Sequence, residues 1–119
     1  MIQQEINAHL LEWDRMILQF REYENRAARA DNDYRHGRAR FIVTAKADDP
    51  RLSHAAAETL ADADDEVMRL RLLSKGAEAE AKSFMEKLKW CRAKADALRS
   101  EKVDERESNK LYADHPGGA

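Results

Sequence analysis

Apolar side chains at Ile6, Leu10, Trp13, Ile17 and Phe20 follow one another in steps of four, three, four and three residues. A seam of period 3.5 is the spacing at which one helix packs along another, so this segment is constrained to a long helix with a partner. In the same register the seam continues through Glu24, Ala27, Asp31, Tyr34, Arg38, Phe41 and Ala45, with charges in its middle and aromatics on either side. A second seam is longer: Leu60, Ala63, Val67, Leu70, Ser74, Ala77, Ala81, Phe84, Leu88, Cys91, Ala95 and Leu98. Its steps alternate between three and four throughout.

Between the seams lies Asp48-Asp49-Pro50, where Asp49 can cap and Pro50 suits the first turn of a new helix. The expected organisation is one helical domain over 1–114. Its first helix covers about 3–47, a linker 48–53, and a second helix runs from about residue 50 to about 112; the tail 115–119 is expected to be disordered. Gly37 and Gly76 are the weak points, each costing about 1 kcal/mol relative to alanine inside a helix, and either could mark a bend. The fold class is all-α, a long antiparallel helical hairpin of coiled-coil type. Few of its apolar residues are larger than alanine or leucine, so association with further copies of itself is expected to add burial.

Charged residues make up 37% of the chain, yet 23 acids nearly balance 21 bases, which excludes a uniformly basic coat for nucleic acid. The balance conceals blocks. Residues 1–25 carry net −3 and residues 26–46 net +4; 54–68 hold five acids and no base, 69–102 ten bases and five acids, and 103–119 net −2. Screening at physiological salt limits reach to about 8 Å, so blocks matter more than the sum. The basic block contains Arg26, Arg29, Arg35, Arg38, Arg40 and Lys46, with Tyr34 and Phe41 among them. Arginine forks suit phosphate, and flat rings suit unpaired bases, which is the combination a sequence-tolerant single-strand binder uses. The alternative is that these arginines pair with acids such as those at 62–66, across the hairpin or between subunits.

Trp90 lies about 200° round the helix from Leu88, and Met68, Leu72 and Leu73 also fall off the second seam. Outward apolar groups of this size mark a second interface, so all four are assigned to oligomer contacts. No nucleotide-binding loop, nucleophile elbow or HExxH pair is present, so the chain is read as a non-enzyme without cofactor. His9, His36, His54 and His115 show no ligand spacing with each other or with Cys91, so no metal is expected and the histidines are read as surface or seam-edge residues. Cys91, the single cysteine, is read as a small buried hydrophobe. The N-terminus lacks signal-peptide character and no apolar run is long enough for a bilayer, so a cytoplasmic protein that does not engage membranes is expected.

The run Leu60-Ala61-Asp62-Ala63-Asp64-Asp65-Glu66-Val67, followed by Phe84, Leu88, Cys91 and Ala95-Asp96-Ala97-Leu98-Arg99-Ser100, resembles the C-terminal half of UvsY-type recombination mediators of tailed bacteriophages. Asp33-Tyr34-Arg35-His36-Gly37-Arg38 is similar to that family's tyrosine, glycine and arginine motif. The resemblance implies a ring-like homo-oligomer acting in the host cytoplasm. It also implies that the protein binds single-stranded DNA and helps a RecA-type recombinase replace single-strand binding protein. The family's phosphate-contacting bases would correspond to Arg29 and its neighbours, with Asp31 standing where a second base is expected. The other reading is a coiled-coil scaffold or adaptor that acts only through protein contacts.

Overall fold

A computed structural model describes the backbone of residues 2–114 and the side chains of residues 2–110. Within it the chain forms three helices and no strand: α1 (Ile2–Asp48), α2 (His54–Ala63) and α3 (Asp65–Asp114). The chain is therefore all-helical. The expected tail at 115–119 lies outside the described residues.

The second helix of the sequence reading is two helices, and local chemistry explains where each begins. Asp49 and Pro50 do not open a helix; they make a turn. The Leu52 amide donates to the Asp49 carbonyl at 3.0 Å, and the Asp49 side chain accepts from the Arg51 amide at 3.1 Å. Proline presets the backbone angle of the first central turn residue, and the helix waits for Ser53. The Ser53 hydroxyl, with its backbone extended, accepts from the Ala56 amide at 3.1 Å and caps α2.

After the ten residues of α2, Asp64 interrupts the helix. Its amide donates to the Ala61 carbonyl at 3.1 Å, closing α2, and its carboxylate accepts from the Val67 amide at 3.0 Å, opening α3. Asp65 and Glu66 follow in the first turn of α3, where negative charge meets the positive end of the helix. The acidic run at 62–66 thus contains a helix start.

The described residues fall into two compact units, Phe20–Phe84 and the described parts of Met1–Gln19 and Met85–Ala119. In the Phe20–Phe84 unit, Gly37 of α1 faces Leu70 of α3, and Tyr23 faces Phe84 at 5.0 Å between ring centroids, so α1 and α3 run antiparallel. Phe20 stacks on Phe84 at 6.4 Å. At the other end of this unit, α2 lies on α1 through Ala57 and Ala61, both 0% exposed, which meet Ile42 with Phe41 and Leu52 at the margin. Two alanines one turn apart let α2 present a flat face to that isoleucine.

In the other unit α1 and α3 are again antiparallel. The imidazole of His9 is buried against Cys91, with Nε2 2.8 Å from the Cys91 carbonyl oxygen and 3.3 Å from its Sγ. A carbonyl can only accept, so Nε2 carries the proton. Of the two expectations for His9, surface or seam-edge, its burial beside the seam residue Leu10 excludes the surface one. Cys91 is buried, as a small seam residue should be, and burial pushes its thiol pKa up. Ile6 and Ala95 complete the buried set.

Both glycines lie within continuous helix, but their surroundings differ. A Cβ at Gly76 would meet nothing within 4 Å, whereas one at Gly37 would come within 2.6 Å of Leu70 Cδ1. Gly76→Ala should therefore realise most of the helix-propensity gain, about 0.5–1 kcal/mol, and raise the thermal midpoint by a few degrees. Gly37→Ala should gain less, because Leu70 has to move. Parallel thermal melts of the two variants check the difference.

Candidate functional site

On the Phe20–Phe84 unit, three helices line an open groove of about 630 Å3. Successive turns of α1 contribute Tyr34, Arg35, Arg38, Ile42 and Val43; α2 contributes His54 and Asp62, and α3 contributes Arg71. Residues 34 and 38, one turn apart, share the face of α1 that turns toward the other helices, and both are half-buried. The sequence placed Tyr34, Arg35 and Arg38 in one basic block. The fold adds Arg71 and His54, which no local pattern connects to them.

Arg38 is the most engaged of the arginines. Its Nε donates to Asp62 Oδ1 at 2.9 Å, and Nη2 reaches Glu58 Oε2 at 3.4 Å and Asp62 Oδ2 at 3.5 Å. The Asp62 bond holds Arg38 more firmly protonated, and the Arg38 bond holds the Asp62 carboxyl below the usual carboxylate range, with a further contribution from the charge of Arg71. Linkage gives the sign. A carboxylate with a depressed folded pKa adds stability above its ordinary value, and that contribution disappears as the pH falls through the folded value. Acid unfolding followed by circular dichroism should thus show an Asp62-dependent loss below about pH 4, which Asp62→Asn removes.

The remaining basic residues of the block are dispersed. Arg35, exposed at the groove edge, pairs with Asp31 at 3.0 Å. Arg40 lies in a separate hollow of about 370 Å3 among Asp33, Asp64 and Glu66, with its Nη2 3.4 Å from His36 Nε2. Arg26 sits over the Tyr23 ring at 5.3 Å. Lys46 Nζ is 3.3 Å from Nδ1 of His54, beside the groove. Arg29 is exposed and has no ion-pair partner among the described residues. The structure therefore gathers Tyr34, Arg35 and Arg38 and leaves Arg26, Arg29, Arg40 and Lys46 outside the groove.

No family model, curated protein or solved structure matches this chain. The residues themselves carry the functional argument.

The four residues assigned to oligomer contacts are all exposed. Met68, Leu72 and Leu73 lie on α3 in the Phe20–Phe84 unit, where Leu60 and Val43 are exposed as well. Trp90, in the other unit, is 67% exposed, with Lys94 Nζ 5.5 Å from its ring centre. Among the described residues no group of three or more His, Cys, Asp or Glu side chains is placed to hold a metal ion, and no helix is long and apolar enough to cross a membrane.

The sequence reading missed Arg71 because its membership of the site is purely tertiary. One signal was present: Arg71 adjoins the seam residue Leu70 and so flanks the packing stripe, where a long basic side chain can reach around to the neighbouring helix.

Proposed function

We propose that the protein is a non-enzymatic recombination mediator that binds single-stranded DNA through the groove lined by Tyr34, Arg35, Arg38 and Arg71. The observation that carries this reading is the convergence of three arginines from two helices beside a half-buried tyrosine. Guanidinium groups take the phosphates, and the Tyr34 ring offers a surface on which one base stacks, worth about 1–3 kcal/mol where it does so. Neither contact depends on base identity, so binding is sequence-tolerant. The resemblance to UvsY-type mediators adds the biological setting: an oligomer in the host cytoplasm presenting a strand to a RecA-type recombinase in place of single-strand binding protein. Arg29, exposed and without an ion-pair partner among the described residues, lies outside the groove.

A second reading, a scaffold acting only through protein contacts, is favoured by the pairing of Arg38 with Asp62 and Glu58. The exposed Met68, Leu72, Leu73 and Trp90 would then carry the interaction. Sedimentation with a labelled oligothymidylate separates the two. Comigration with the protein at low salt supports the mediator, and an oligomer that leaves the oligonucleotide behind supports the scaffold.

A further inference from the structure

We propose that the groove is a phosphodiester subsite whose ligand position is held, in the free protein, by the carboxylate of Asp62, so that α2 acts as a built-in substitute for the strand. The inference rests on the single-strand reading of the groove and says how access to it is controlled.

The geometry at Arg38 is the starting point. Both oxygens of Asp62 face Arg38, Oδ1 accepting from Nε at 2.9 Å and Oδ2 lying 3.5 Å from Nη2. A phosphate offers the same two-oxygen edge to a guanidinium, because the planar fork matches either anion. Glu58, one turn earlier on α2, reaches Nη2 at 3.4 Å. Two carboxylates spaced by one turn project from one face of α2, like successive charges along a strand. Arg71 of α3 lines the same groove, so Asp62 stands among cations contributed by two helices.

The pair is also reachable. The side chains of Asp62 and Glu58 are 48% and 41% exposed and that of Arg38 is 29% exposed, so a competing anion can approach without opening the core. Exchange replaces one singly charged oxygen ligand by another. The N–H donors of Arg38 stay satisfied, no proton moves, and Asp62 passes into water. Half-exposed ion pairs contribute little to stability, so releasing one is easy. The pairing of Arg38 is then a competitor of the strand rather than evidence against its binding.

The test compares wild type, Asp62→Asn, Glu58→Gln and Asp62→Glu in fluorescence-anisotropy titrations of an oligothymidylate across a salt series. Asp62→Asn should tighten binding about two- to fivefold and leave the log–log salt slope close to that of wild type, because Arg38 meets the phosphate in both proteins once Asp62 has been displaced. Glu58→Gln should act in the same direction with a smaller effect, and Asp62→Glu, which keeps the charge, should stay near wild type. If wild type binds and neither neutralising variant binds more tightly, the masking role is overturned while the single-strand reading stands. If none of the four binds, both fall. Should Asp62→Asn lose helicity, Glu58→Gln carries the test, since it removes the longer contact and leaves Ala57 and Ala61 packed.

Discussion

Arg71→Gln should weaken binding to an oligothymidylate by about tenfold, the loss of one charge-assisted contact at the lower end of its usual range of about 1.5–3 kcal/mol. The salt dependence should become shallower by about 0.7 in log–log slope. The loss should be the same for thymidylate and mixed sequences, because a phosphate contact carries no base information. Folding stability should change by no more than about 0.5 kcal/mol, since the side chain is exposed. Arg40→Gln is the matched control. It removes the same charge from a hollow lined by Asp33, Asp64 and Glu66, outside the groove, and should leave affinity close to wild type. Equal effects of the two variants would show that only overall charge matters and that the groove has no special role.

Ile42→Ala should cost about 2–3 kcal/mol, a large fraction of the roughly 5–15 kcal/mol that holds a domain together. Ile42 is the one large side chain of the buried cluster that joins α1 to α2; its buried partners there, Ala57 and Ala61, are too small to fill the space it would leave. The remaining anchors of α2 among the described residues are few: the Phe41 and Leu52 margins, the bonds of Arg38, and the contact of Lys46 with His54. Hydrogen exchange should accordingly show the amides of α2 losing protection before those of α3. Chemical denaturation gives the total cost. Because α2 carries Asp62, the same variant loosens the carboxylate that occupies the groove, and so couples a packing defect to anion access.

The packing register of α3 was readable from the sequence because one helix keeps one period. Val67, Leu70, Ser74, Ala77, Ala81, Phe84, Leu88, Cys91, Ala95 and Leu98 are all buried or half-buried, as the alternation of three and four requires. The two members of that series before Asp64 fail. Leu60 and Ala63 are exposed, and Ala57 and Ala61 face inward instead. A helix that stops and restarts at Asp64 loses its rotational phase, so a seam extrapolated across the break points to the wrong side. The signal for that break was Asp64 with Asp65 and Glu66 behind it, a cap and an acidic first turn, submerged in a run that resembles a solvated face.

The candidate site was half legible for a related reason. Tyr34, Arg35 and Arg38 lie within five residues of one another, so composition reveals them. Asp62 and Arg71 reach them only through the packing of α2 and α3 on α1. The same holds for His9 and Cys91, 82 residues apart, whose contact no local spacing announces. Distinguishing a paired arginine from one available to a ligand likewise required the positions of Glu58 and Asp62.

The central claim is that this groove binds a single strand through its phosphates. The most direct measurement is the affinity of the wild-type protein for an oligothymidylate across a salt series. With Arg35, Arg38 and Arg71 each contacting a phosphate, the log of the association constant should fall linearly with the log of salt concentration at a slope of about −2. A slope near zero, or the absence of binding at low salt by a protein with intact helicity, would contradict the account.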